Sequence, residues 1–184
     1  MKKMIQMTAL ASACLAGNAA LAATVSDTFD VRITLESACE ISGTVAGGDL
    51  GASDLNFGTH PGLLDANIDA SNGSDGIAVR CSSGTSYSIG LDDGNNFDEG
   101  PVSDSRAMQN SGEYVSYELF QDSARNARWG ALGSGEEVDA TGTGARQVFS
   151  VFGRVPAQAL DLDAVDLSNG PATFTDTITA TVEF

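Results

Sequence analysis

The chain has 184 residues, 42% of them hydrophobic, and its 25 acidic side chains outnumber nine basic ones to give a formal charge of −16. A surface that acidic repels phosphate backbones, which argues against nucleic acid as a partner; solubility outside the cell accounts for the charge, with calcium or a cationic surface as the other ligands it would suit. Beyond the first 22 residues no stretch approaches the roughly 20 apolar residues that a membrane helix needs.

Residues 1–22, MKKMIQMTALASACLAGNAALA, read as a secretory signal peptide. Lys2 and Lys3 form a basic head, an apolar run follows, and Ala20, Leu21 and Ala22 supply a small-residue cleavage site. The competing reading is a lipoprotein box, ASAC at residues 11–14, but the apolar run before Cys14 is short for that purpose. Cleavage after Ala22 leaves 162 residues, enough chain for one domain with its own core. It also removes both lysines, so seven arginines face 25 acids and the formal charge becomes −18. Two cysteines stay, Cys39 and Cys81, in a chain bound for an oxidising compartment, and one disulfide between them is expected. Closing a loop of about 42 residues contributes roughly 4 kcal/mol in the chain-entropy model. Two cysteines and one histidine are a poor zinc set.

The first predicted element is TVSDTFDVRITL at residues 24–35, where Val25, Phe29, Val31, Ile33 and Leu35 alternate with polar side chains and Asp27 interrupts the apolar face. The pattern is that of a strand at the start of the mature chain, where ends fray unless something ties them down. GIAVRC then places Ile77, Val79 and Cys81 on one face, SYSIGL does the same with Tyr87, Ile89 and Leu91, and YVSYELF with Val115, Tyr117 and Leu119. QVFSVFGRV is apolar on both faces in its first half, as a central strand between two layers would be. The last run, FTDTITATVEF, sets Phe174, Ile178, Ala180, Val182 and Phe184 against a face of Thr175, Thr177, Thr179, Thr181 and Glu183. Clusters such as DDGNN and GSGEE supply turn chemistry between the runs. No segment sustains a helical period. The expected fold is all-β, a two-sheet sandwich with Greek-key connections. Strands at both ends present edges that invite pairing with another chain, so the first run could complete the sheet of a neighbour.

Catalytic chemistry finds little support. His60 is the one histidine, set in a Pro/Gly turn, FGTHPG, and no G-x-S-x-G elbow or similar nucleophile motif accompanies the serines. The acidic stretches DDGNNFDEG and DLDAVD do not match the EF-hand register and read as solvated turns. Trp129 with Tyr114, Tyr117 and Phe120 could form a sugar-binding platform, although aromatics in alternating strands ordinarily serve as core or cross-strand pairs.

Taken in order, FDVRITL, ESACEIS around Cys39, LNFG at 55–58, IAVRC ending at Cys81, YSIGLDDGNN, RAM at 106–108, VSYELFQDSARNARWG, VFGRVPAQ and the final FTDTITATVEF resemble the spore coat protein U domain family, which includes the major pilins of archaic chaperone-usher pili. The resemblance implies an incomplete immunoglobulin-like sandwich that lacks one strand and is completed by a donor strand from another subunit. It further implies a periplasmic chaperone that first fills the groove, an outer-membrane usher where exchange takes place, and identical or related pilin subunits as partners. Carried onto this chain, Val25, Phe29, Val31 and Ile33 are the donor residues. Cys39 and Cys81 form the disulfide, and the strand carrying Phe174, Ile178, Ala180, Val182 and Phe184 is the acceptor groove wall. The expected organisation is a signal peptide over 1–22, a donor segment over 23–35 and a pilin sandwich over 36–184. The implied function is that of a shaft subunit of a surface pilus, exported through the periplasm, supporting adhesion and biofilm formation, with no cofactor, no metal and no enzymatic activity. A secreted spore-coat or matrix protein of the same fold is the alternative, and a carbohydrate-binding adhesin module is a further one.

Overall fold

A computed structural model describes residue 28 and residues 30–42, 54–163, 165, 167–168 and 170–184. The expected signal peptide, and Val25 and Phe29 of the expected donor segment, lie outside these residues. The chain divides into two units, Met1–Leu35 and Glu36–Phe184. In the first, Val31, Ile33 and Leu35 are 85%, 80% and 80% exposed.

The second unit is all-β, apart from one short 3-10 turn at Gly73–Asp75. Its strands are β1 (Cys39–Ser42), β2 (Ile68–Ser71), β3 (Ile77–Cys81), β4 (Ser86–Leu91), β5 (Arg106–Asn110), β6 (Glu113–Phe120), β7 (Val138–Thr141), β8 (Gln147–Phe149), β9 (Phe152–Val155) and β10 (Ala180–Glu183). All the pairings are antiparallel. One sheet runs β2-β9-β6-β5, and two three-stranded sheets run β1-β3-β8 and β10-β4-β7.

The two smaller sheets are successive halves of one ladder. β3 and β4 follow each other along the chain, and their partners β8 and β7 follow each other in reverse, with Ile77 opposite Phe149 and Ile89 opposite Val138. Backbone bonds from Gly142 N to Thr85 O (2.7 Å), Gly84 N to Gly142 O (2.8 Å) and Gly144 N to Cys81 O (3.0 Å) carry the pairing across the break. Gly142 is required by close approach there, because a Cβ at this position would lie 2.3 Å from the carbonyl oxygen of Ser82.

Period-two alternation places the core. Ile77, Val79, Tyr87, Ile89 and Leu91 from the long ladder are buried with Val115, Tyr117, Leu119 and Val155 of the β2-β9-β6-β5 sheet, in one cluster that also takes in Trp129. Fully burying each such aliphatic side chain is worth about 1.5–3 kcal/mol, and the two layers form a sandwich because neither face could be left to water. The β5–β6 hairpin closes through Ser111 and Gly112, with φ of 52° and 91°. Two successive positive φ values make the kind of turn whose twist matches that of the flanking strands.

One expectation is corrected. QVFSVFGRV is not one central strand: β8 and β9 belong to different sheets, and β8 is the last strand of its own. The chain changes layer at Ser150 and Val151, where Val151 N donates to the side chain of Asn72 at 2.8 Å, so apolar side chains on both faces record a crossover. Of the aromatics weighed as a sugar platform, Trp129 and Tyr117 are core residues, as aromatics in alternating strands ordinarily are. Trp129 is 1% exposed and its indole N–H donates to the carbonyl of Ile89 at 2.9 Å, which makes it a core residue with its polar edge satisfied. The described residues of TVSDTFDVRITL lie outside the regular strands of this single chain, and the expectation that the segment pairs with another chain is a separate one. A strand pattern becomes a ladder only beside a neighbouring backbone.

Candidate functional site

The expected disulfide is present: Cys39 and Cys81 are joined, and they are direct partners across the β1–β3 ladder. The bond fixes the first strand of the domain immediately after the N-terminal segment. Ser82 Oγ and the backbone of Ala38 reinforce the same junction at 3.2 Å.

At the other end of the chain, β10 is the outermost strand of its sheet. It pairs on one side with β4, Ala180 opposite Leu91 and Val182 opposite Ile89. Burial falls sharply across this single step. Leu91 and Ile89 are 2% and 0% exposed, whereas Ala180 and Val182 are only half-buried, as are Phe174 and Ile178, although all four pack against the core. Phe184 is 60% exposed. The inward face of the C-terminal segment is therefore apolar and incompletely covered, beside a backbone edge that no described residue pairs with.

Hydrogen bonds hold this wall in place over its whole length. Thr175 exchanges backbone bonds with Gln109 of β5 at 2.9 and 3.2 Å, and Asn110 reaches the carbonyl of Thr173 at 2.7 Å. Asp176, on the same inward face as Phe174 and Ile178, accepts the phenolic proton of Tyr117 at 2.7 Å and the backbone N–H of Asn95 at 3.0 Å. Burial, and after it the bond to Asp176, push the Tyr117 phenol far above its ordinary pKa. Asp92 accepts the N–H groups of Gly94 and Thr179 at 3.1 and 2.9 Å, and its own N–H donates to Thr179 O at 3.1 Å. The segment thus leaves the edge of β5 in one layer and joins β4 in the other.

Beneath the start of β10 lies a charge network that sequence reading did not single out. Arg106 is 0% exposed, and its guanidinium donates to the carbonyls of Leu91 (3.2 Å), Asp92 (2.7 Å) and Trp129 (2.9 Å). It also meets Glu118 at 3.4 Å, and Glu118 in turn accepts from Arg128 at 2.6 Å. A buried cation is tolerable only when its donors are satisfied in this way. By gripping the carbonyls at the end of β4, Arg106 fixes the strand on which β10 is built.

Of the expected donor residues, Val31 and Ile33 are exposed. His60 is exposed in its turn, with Nε2 2.6 Å from the carbonyl of Phe57. Asp176 had a legible signal, since it is the one acid on the apolar face of FTDTITATVEF. Arg106 fell within RAM, one of the motifs of the family resemblance, but its burial had no signal, because an arginine in a short strand ordinarily reads as solvent-facing.

The Spore Coat Protein U domain family model matches residues 25–181. No curated protein matches the chain. Among solved structures, the chain is similar to one in the crystal structure of the CsuC–CsuE chaperone–tip adhesion subunit pre-assembly complex from archaic chaperone-usher Csu pili of Acinetobacter baumannii, at 26% identity and a TM-score of 0.47. The match covers 82% of this chain and 40% of that one.

Proposed function

Because the chain belongs to the Spore Coat Protein U domain family, we propose that it is a structural subunit of a cell-surface pilus, assembled non-covalently by donor-strand exchange in the chaperone-usher pathway. The observation that carries this reading is the loss of burial between β4 and β10, where fully buried Leu91 and Ile89 stand beside half-buried Ala180 and Val182 at a free edge. An inserted strand would satisfy that edge and cover Phe174, Ile178, Ala180, Val182 and Phe184. The segment with a matching pattern is the N-terminal one, through Val25, Phe29, Val31 and Ile33.

Burying four such side chains is worth about 6–12 kcal/mol at most, before ladder hydrogen bonds and the entropy of ordering the segment. That is enough to decide whether the domain is stable. A periplasmic chaperone would shield the groove until an outer-membrane usher brings the next subunit, and the completed fibre would support adhesion and biofilm formation at the cell surface. The role is structural: Trp129 is enclosed in the core, and His60 sits in an exposed turn with its ring nitrogen engaged by the Phe57 carbonyl.

The test is to delete residues 23–34 and express the remainder with and without the deleted segment as a peptide in trans. The expected result is a destabilised, non-polymerising domain that the peptide rescues. A truncated domain that is fully stable alone and indifferent to the peptide, from a parent chain that never polymerises, would refute the proposal.

A further inference from the structure

We propose that Arg32 on the N-terminal segment of one copy of this chain pairs with Glu183 on the free edge of β10 in a second copy, and that this contact selects the register of the inserted strand. The inference rests on the donor-strand reading and gives a role to the polar face of the segment.

Five arginines are engaged inside the domain: Arg80 with Glu40, Arg106 and Arg128 with Glu118, and Arg125 and Arg154 with Asp69. Arg32 differs from them. Its side chain is 83% exposed, and among the described residues it meets Asp30, two positions away, at 2.6 Å. Asp30 is itself exposed, so that pair contributes little, and the fork of five guanidinium donors has room for a second carboxylate. Glu183 is the complementary group. Val182 packs against the core, so the alternation of β10 turns Glu183 outward, where it is exposed and in register with Ser88. Among the described residues it has no ion pair. The next acid on that face, Asp139, accepts from Ser88 Oγ at 2.6 Å and adds a second negative charge. The edge that an incoming strand would meet is therefore anionic on its outward side.

Apolar alternation alone leaves the register open. A slip of one residue would turn Val31 and Ile33 to water and is excluded by burial. A slip of two keeps both side chains inward and changes only which outward residue stands beside Glu183. The candidates in the described segment are Asp30, Arg32 and Thr34. Asp30 at that position would set two carboxylates against each other, Thr34 would be neutral, and Arg32 would make a cross-strand pair of opposite charge. The choice does not depend on whether the inserted strand runs parallel or antiparallel to β10, because in either case one outward residue faces Glu183. Hydrophobic burial thus sets which face of the segment enters, and charge sets how far along it sits.

The test uses fibres assembled from the full chain and the rate at which they dissociate to subunits in denaturant. Arg32→Glu and Glu183→Arg, made singly, are each expected to speed dissociation about threefold to tenfold, since each replaces an attraction by a like-charge contact. Together they should return the rate close to that of the parent, and about 1 M salt should shrink both single effects. A single variant too weak to assemble counts as the extreme of the same effect, and the double exchange must then restore fibres. Arg146→Glu makes the same change of charge before β8 and should leave the rate unchanged. If the single exchanges have no effect, if the double exchange is no slower to dissociate than they are, or if Arg146→Glu acts as strongly as Arg32→Glu, the pair is wrong and the donor-strand reading survives. If the unaltered chain forms no fibres, both fall together.

Discussion

The phenol of Tyr117 donates to Asp176 at 2.7 Å and so ties the buried centre of β6 to the half-buried C-terminal segment. It is a polar rivet in an otherwise apolar wall: losing Asp176 leaves the phenol without its acceptor, whereas losing the phenol leaves Asp176 its bonds from Asn95 and Thr177. Tyr117→Phe should destabilise the domain by about 1–2 kcal/mol in urea unfolding.

The same residue gives an alkaline limit. Burial, then the bond to Asp176, raise the Tyr117 phenol above its ordinary 10.0, and burial raises Tyr87 in the same direction. The folded state then keeps protons that the unfolded chain releases, so this stabilisation is complete below the unfolded pKa and declines as pH rises through and beyond it. Unfolding free energies measured at about pH 8 and about pH 11 should show the loss, and Tyr117→Phe should reduce it.

Removing the disulfide tests the junction between the N-terminal segment and the domain. Cys39→Ser with Cys81→Ser opens a separation of 42 residues and should cost roughly 4 kcal/mol in the chain-entropy model. A double variant as stable as the parent in denaturant would show that the β1–β3 ladder alone holds β1.

Arg106 joins Leu91, Asp92, Trp129 and Glu118 with no exposure to solvent. Arg106→Ala leaves the Glu118 side short of a partner and removes the guanidinium bonds to three carbonyls, and should cost about 3–5 kcal/mol by thermal or urea unfolding. Lysine should not restore it, because an ammonium cannot reach the same set of acceptors that a planar guanidinium does.

Folding and assembly should separate at the N-terminal segment. Val31 and Ile33 are exposed, so Val31→Asp and Ile33→Asp should change the unfolding free energy of the monomer by no more than about 0.5 kcal/mol. The same variants should fail to form fibres by sedimentation or electron microscopy, since each would place a charge in an apolar groove.

Most strands were legible in the chain because alternation with period two follows directly from strand geometry. Ile77, Val79, Tyr87, Ile89, Val115, Tyr117 and Leu119 all fall where their spacing puts them, and the two cysteines meet as counting them implied. What alternation does not encode is which strand lies beside which. QVFSVFGRV has one apolar pattern but two sheets, because a crossover and a buried central strand leave the same trace.

By itself, then, the sequence determined the all-β class, the inward faces of the strands, the disulfide and an N-terminal segment patterned like a strand, since each depends on local spacing or on simple counting. Only the tertiary structure decided that the C-terminal face is half-covered beside fully buried neighbours, that Arg106 is enclosed, and that Tyr87 and Tyr117 differ in whether their hydroxyls are satisfied. Burial and hydrogen-bond completion are properties of what arrives from elsewhere in the chain, so an edge left open becomes visible only when every other strand has found its place.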